Sequence, residues 1–421
     1  MPVPENVNES GFVKEQVRQN PERIRLHIGE ALGSGAQGDV FHAELFIFQE
    51  NPAGFKKYPC VAKRLKNSDH STIPVEFDIQ ELITADISSS VESGLLRLIG
   101  IYTVNDVQYA ILPKCDATLE NCIPHIRALE SDNPALFQTV ITNFFHSMLN
   151  GLENLYEKEI IHRDMKPANI CFREQGFVLL DFGCAITKED FQKRSDEIQG
   201  TAFYLAPEMT KKVRDFPFAC DIYALGQILR QLLGKDISFQ HFSEQMPHIY
   251  AKIIAYEKEK KEAGNTVDHQ SRLQSEMTEK NNFDDCINFI VDAMCETLPE
   301  RRPELATLKS MFSQLLLHSS SNKIDQLDLA EFYFNMTQPP VTAAARETAL
   351  AEIDSLEGIK TPPRRALQEV VTPNVSPVKV NSAHSTPEKK PPKFVLFPTS
   401  AAVITSENSD CFTTPSLHPY L

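Results

Sequence analysis

Ile160-Ile161-His162-Arg163-Asp164-Met165-Lys166-Pro167-Ala168-Asn169, followed by Leu179-Leu180-Asp181-Phe182-Gly183, is the stretch on which the rest of the chain turns. An apolar pair leads into a polar run, and a second apolar run ends at Asp-Phe-Gly. The spacing predicts a short loop, a strand pair over Ile170 to Phe172 and Phe177 to Leu180, and a second loop returning beside the first. Asp164 then offers a carboxylate that takes a proton from an incoming hydroxyl. Asn169 and Asp181 are hard oxygen donors of the kind that hold Mg²⁺ against nucleotide phosphates. Phosphoryl transfer is the chemistry these side chains suit.

His162-Arg163-Asp164 with Lys166 and Asn169 behind it, then Asp181-Phe182-Gly183, resembles the eukaryotic-type protein kinases. The resemblance runs over residues 24–317. It implies an α+β bilobal protein-kinase fold: a small antiparallel-sheet N-lobe and a larger helical C-lobe. It also implies ATP and Mg²⁺ as cofactors, a protein hydroxyl as acceptor, and Asp164 as general base. Lys166 and Thr201 match the Ser/Thr-specific members, in which the ammonium neutralises the transferring phosphoryl group and the threonine hydroxyl braces the aspartate.

Upstream, Ile24 to Leu32 alternates like a strand and enters Gly33-Ser34-Gly35-Ala36-Gln37-Gly38-Asp39-Val40, and Phe41 to Phe46 resumes strand character. Taken alone, Gly-x-Gly-x-x-Gly suits a plain turn or a dinucleotide loop equally well. Strands on both sides and no helix after the third glycine favour the kinase loop. Its backbone N–H groups approach phosphate oxygens, and Val40 lies over an adenine ring. By the same resemblance Leu32, Ser34, Ala36 and Gln37 join the nucleotide contacts. Tyr58-Pro59-Cys60-Val61-Ala62-Lys63 resembles the strand whose lysine binds the α- and β-phosphates, which places Ala62 and Lys63 at the nucleotide. The lysine's partner is Glu76 or Glu81 on a helix over Pro74 to Ile87. Glu76 is preferred because Phe77, Ile79 and Ile83 form an inward stripe beside it, although Gln80 then occupies a usually apolar position.

Leu95 to Val104 and Val107 to Leu112 read as two further strands, with Pro113-Lys114-Cys115-Asp116 as the link between lobes. The resemblance puts Leu112 at the back of the pocket, hydrogen-bonds adenine through backbone groups of the link, including Lys114 and Cys115, and sets Cys171 beneath the ring. Apolar residues from Leu136 to Lys158 recur at helical spacing and read as core. Gly200-Thr201-Ala202-Phe203-Tyr204-Leu205-Ala206-Pro207-Glu208 matches the peptide-docking platform. Glu208 is expected to pair with Arg302, and Asp221 to hold the catalytic-loop backbone. Ser195, between Asp181 and Glu208, is an expected activating phosphorylation site that would neutralise Arg163; the competing readings are that Asp190, Asp196 or Glu197 already supplies the anion, or that Thr187 is the acceptor.

The net charge of −15 argues against nucleic acid or an anionic membrane as the main partner. From Thr337 onward eight Lys plus Arg balance eight Asp plus Glu, so the acidic excess lies in residues 1–336 and weakly favours basic protein substrates. Nine cysteines without metal-like spacing read as free thiols in a reducing compartment. No leader or bilayer-spanning segment is expected. The cytoplasm is the expected location, and the nucleus or a host-cell cytosol fits the same sequence.

Residues 1–23 read as a flexible lead-in, 24–317 as the catalytic domain, 318–357 as a short helical extension, and 358–421 as a disordered Pro/Ser/Thr-rich tail. Helices are expected over Leu305 to Leu316, Ile324 to Met336 and Ala343 to Leu356, and the charged run Glu257 to Glu262 as a solvated insertion. Five Ser/Thr-Pro steps, at Thr361, Thr372, Ser376, Thr386 and Thr414, suit a regulatory partner acting through the tail. An inactive scaffold would lack a catalytic group, and a small-molecule phosphotransferase would lack the platform. Both features are present.

Overall fold

Three long strands build the N-terminal part. β1 (Ile24–Gly35), β2 (Gly38–Glu50) and β3 (Ala53–Leu65) pair antiparallel in order. β5 (Val107–Pro113) lies beside β3, and β4 (Gly100–Val104) is outermost. The structure is a computed structural model, and it describes residues 24–35, 38–50, 53–65, 75–85, 90–104, 107–193, 199–210, 215–235, 269–319, 326–337 and 395–396. Side chains alternate across a strand, so Ile24, Leu26, Ala43, Leu45, Ile47, Tyr58, Cys60 and Ala62 gather on one face. Gly38 is required where the start of β2 pairs with the end of β3, because a Cβ there would collide with the Arg64 carbonyl oxygen. A helix, α1 (Val75–Thr84), follows β3.

The strand expected over Leu95 to Val104 starts only at Gly100. The residues before it serve the other lobe: after α2 (Ser90–Ser93), Leu96 N donates to Leu179 O at 2.8 Å, and Leu95 bridges Leu179. An apolar run therefore joins two layers rather than pairing within one.

Helices build the C-terminal part. α3 (Leu119–Asp132) starts at Thr118, whose side chain accepts from Asn121 N, and α4 (Pro134–Glu157) starts at Asn133, whose side chain accepts from Leu136 N. Those caps satisfy donors that the first turn leaves open. α4 buries Phe144, Phe145, Met148, Leu149, Leu152 and Leu155, and Phe144 meets Phe177 edge-on with centroids 5.3 Å apart. Around it stand α7 (Ala219–Leu232), α8 (His269–Thr278), α9 (Phe283–Met294) and α10 (Leu305–His318), sharing one apolar cluster. Short pieces complete the lobe: β6 (Ala117–Thr118) with β8 (Ile170–Arg173) and β9 (Gly176–Leu179), β7 (Ile160–Ile161) with β10 (Ile186–Thr187), α5 (Lys188–Lys193) and α6 (Pro207–Thr210).

The helix expected over Ile324 to Met336 is α11 (Gln326–Thr337). Leu329, Tyr333 and Met336 sink into the same core, the Tyr333 ring lies 4.6 Å from Phe172, and its hydroxyl accepts from Asn143 Nδ2 at 3.2 Å. Residues 1–23, Ala36 and Gln37, Ser195, the run 257–262 and the helix over 343–356 lie outside the described residues. So does the tail, except β11 (Val395–Leu396), which pairs antiparallel with β1, Leu26 opposite Val395. Among the described residues no helix is long and apolar enough to cross a membrane.

Candidate active site

The catalytic loop is held by backbone anchors before any side chain acts. Asp221, fully buried at the start of α7, accepts from His162 N at 2.8 Å and from Arg163 N at 2.9 Å. Burial pushes its carboxyl up, and the nearby His162 and those two N–H groups pull the other way. Arg163 takes a positive φ of 65°, turning the chain so that Asp164 faces the cleft. His162, fully buried with its ring edge-on to Phe182, has its pKa lowered by desolvation, against the pull of Asp221, Asp164 and Asp181. The neutral ring accepts from Asp164 N at Nδ1, 3.3 Å, which leaves Nε2 to donate to Leu180 O at 3.3 Å.

Asp164 is the hub of a closed network. Lys166 Nζ donates to its Oδ2 at 2.7 Å, Thr201 Oγ1 to its Oδ1 at 2.7 Å, and Asn169 Nδ2 to its Oδ2 at 3.1 Å. Lys166 Nζ also reaches Thr201 Oγ1 at 3.0 Å, which ties the loop to the platform. Gly200 makes that approach possible: its φ of 114° and the Arg163 carbonyl, 2.6 Å from where a Cβ would sit, leave no room for a side chain.

On the opposite wall Lys63 Nζ donates to Glu76 Oε1 at 2.5 Å and to Asp181 Oδ1 at 3.1 Å. Burial opposes the ammonium, but the two carboxylates outweigh it and raise the Lys63 pKa above its ordinary value. Of the two candidate glutamates, Glu76 reaches the lysine and Glu81 is exposed. Gln80 keeps its buried amide satisfied by donating to Leu96 O at 3.0 Å, which explains a polar side chain on the inward face of α1.

Between these walls opens a cleft of about 830 Å³, lined among others by Leu32, Gly38, Val40, Leu112, Lys114, Cys115, Asp164 and Asp181. Gly33 has open space where a Cβ would be, and Ser34 and Gly35 finish β1. Two expected cleft residues lie elsewhere. Ala62 is fully buried on the far face of β3, and Val61 lines the cleft instead. With Lys63 turned inward, a period of two puts Val61 and not Ala62 on the same side. Cys171 is buried in a small cluster with Leu96 and Val178 and does not line the cleft. Leu180, Leu96, Gln80, Cys184 and Gln199 also line it, although the sequence placed none of them at the nucleotide.

The expectation of free thiols is also corrected: Cys115 and Cys171 are joined as a disulfide, with Cα atoms 6.1 Å apart. Their separation of 56 residues hid the pairing, which arises because the link between lobes runs alongside β8. The six other cysteines among the described residues are free.

The platform is fixed at its far end. Arg302 forms a two-pronged ion pair with Glu208, Nη1 to Oε1 at 2.6 Å and Nη2 to Oε2 at 2.8 Å, both side chains buried. It also donates to the carbonyls of Ala219, Glu296 and Thr297, and its guanidinium lies 4.8 Å from the Tyr223 ring centroid. All these donations keep a buried cation satisfied.

The family model described as protein kinase domain matches residues 26–315. The chain is also 28% identical over 219 residues to Calcium-dependent protein kinase 6 of Plasmodium berghei (strain Anka), a similarity covering 51% of this chain and 13% of that relative's length. The motifs, the two-lobed architecture and a family match across more than half of the chain agree: this chain belongs to the eukaryotic-type protein kinase family.

Proposed function

We propose that the chain is an active serine/threonine protein kinase that transfers the γ-phosphoryl group of Mg-ATP to a protein hydroxyl. The observation that carries this reading is the Asp164 network, in which one carboxylate is aimed by Lys166, Thr201 and Asn169 at once. In this reading Asp164 accepts the proton of the attacking hydroxyl and so raises its nucleophilicity. Lys166 holds a positive charge beside the point of transfer, where charge spreads over the phosphoryl oxygens. Lys63, kept cationic by Glu76 and Asp181, binds phosphate at the other wall.

The donor set suits Mg²⁺. Asn169 spends its Nδ2 on Asp164, so its amide oxygen is the atom with acceptor capacity, and Asp181 supplies a carboxylate 3.1 Å from Lys63. Mg²⁺ would neutralise phosphate charge between Asn169 and Asp181. Leu32, Val40, Leu112 and the backbone of Lys114 and Cys115 would hold the nucleotide base. Residues 24–317 make the catalytic domain in this proposal, the acidic body favours basic protein substrates, and the Ser/Thr-Pro tail takes a regulatory partner.

The test is phosphorylation of a degenerate peptide array with Mg-ATP, followed by phosphoamino-acid analysis. Phosphoserine or phosphothreonine that vanishes with Asp164→Asn supports the proposal. Phosphotyrosine would overturn the hydroxyl class, and an inactive but nucleotide-binding protein would overturn the enzyme.

A further inference from the structure

The link between the lobes is fastened to β8 on both sides of Cys115. Arg173 Nη1 donates to Lys114 O at 2.5 Å, and Asp116 N donates to Phe172 O at 2.9 Å. The pairing continues with Ala117 opposite Phe172 and Thr118 opposite Cys171. Backbone and guanidinium contacts therefore hold Cys115 beside Cys171 whether or not the sulfurs are bonded, and a Cα separation of 6.1 Å lies within the span a disulfide bridges. Cys115 lines the cleft and is half-buried, whereas Cys171 is fully buried. The two thiols differ in access, as an attacking and a resolving cysteine do.

We infer that Cys115, on the wall of the proposed nucleotide cleft, and Cys171, buried behind it, form an oxidation site with hydrogen peroxide as oxidant and a small dithiol as reductant. The Cys115 thiolate attacks one peroxide oxygen, the O–O bond breaks, and Cys115 carries a sulfenic acid while water leaves. The Cys171 thiolate then attacks that sulfur, forms the S–S bond and expels the hydroxyl as a second water. Two thiols are oxidised and one peroxide is reduced to two waters. A dithiol reverses the change by exchange, leaving both cysteines reduced and itself oxidised.

The consequence rests on the proposed nucleotide role of the cleft. The closed bond adds a covalent tie between the interlobe link and β8 at the edge where adenine would enter and leave. Opening of the lobes is needed for product release, so oxidation slows release and with it turnover.

The experiment uses the full chain, oxidised with hydrogen peroxide or reduced with dithiothreitol. Non-reducing peptide mapping should find a Cys115–Cys171 link only in the oxidised sample. Release of a fluorescent ADP analogue should be slower in that sample by about threefold or more, and recover on reduction. Cys115→Ser should abolish the difference between the two treatments, whatever its own release rate, and Cys184→Ser should retain it. Absence of the linked peptide, equal release rates in both states, or a difference that survives in Cys115→Ser each overturns the inference. Because mapping and release need no phosphorylation, a chain that shows both but phosphorylates nothing would sink the kinase proposal and leave the oxidation site standing.

Discussion

At the phosphate end proposed for the cleft, polar groups are fixed by other polar side chains, Asp164 by Lys166, Thr201 and Asn169 and Lys63 by Glu76 and Asp181, and beyond the cleft Glu208 is fixed in the same way by Arg302. At the end proposed for adenine the wall is made of Leu32, Val40, Val61, Leu112 and Leu180, together with Pro113 to Cys115. The first end depends on atoms that only particular residues supply. The second depends on shape, which many apolar residues supply equally well. Gln80 on α1, polar where the resemblance expects an apolar residue, lines the cleft as well.

The largest effect is expected at the platform. Arg302→Met leaves the Glu208 carboxylate buried without its partner, a loss of about 3–5 kcal/mol. Replacing both, Glu208→Leu with Arg302→Met, should recover part of that loss in thermal or urea unfolding. A double variant as unstable as the single one would show that the carbonyls of Ala219, Glu296 and Thr297, not the ion pair, dominate.

Next comes Asp164→Asn. It keeps the volume but removes the proposed base, so turnover should fall ~100-fold or more, about 2.7 kcal/mol in the barrier, with an unchanged melting temperature. Near-normal activity in the folded variant would remove Asp164 from the chemistry. Thr201→Val should cost less, roughly tenfold in kcat, because in the proposed mechanism the hydroxyl, bonded to Asp164, orients the base rather than reacting. As a positioning residue, Thr201 should be restored by Ser and should leave KM for ATP unchanged. A rise in that KM would mean that it serves the nucleotide instead.

What could be read from the chain follows the same division. Asp164, Lys166, Asn169 and Asp181 were legible because the chemistry admits few alternatives at fixed spacing, and the structure brings them together. Glu76 was legible once the inward stripe of α1 was counted. Ala62 was misplaced because reading a motif by resemblance overlooked the strand's period of two, which Lys63 itself fixes. Leu95 to Ile99 looks like strand from composition, yet Leu96 bonds to Leu179 across layers, a partner that local pattern does not encode. The Cys115–Cys171 neighbourhood and the docking of Tyr333 on Phe172 are likewise contacts between distant segments. No periodicity reports them.

The smallest effect is expected from Gln80→Leu, and it tests the adenine-end half of the comparison. Gln80 is buried, lines the cleft and donates to Leu96 O at 3.0 Å, one turn of α1 after Glu76. Leucine at this position loses one neutral hydrogen bond, about 1 kcal/mol, and leaves a carbonyl acceptor with less to accept. It gains the transfer of an apolar side chain into a site beside Ile79 and Ile83, of similar size and opposite sign. Net stability should therefore shift by less than about 1 kcal/mol, and KM for ATP should stay within about twofold. The outcome that breaks the comparison is a loss like that of Arg302→Met. It would mean that the Gln80 amide fixes the position of Leu96, and through Leu179 the start of the Asp181 loop, so that both ends of the cleft rest on specific polar contacts.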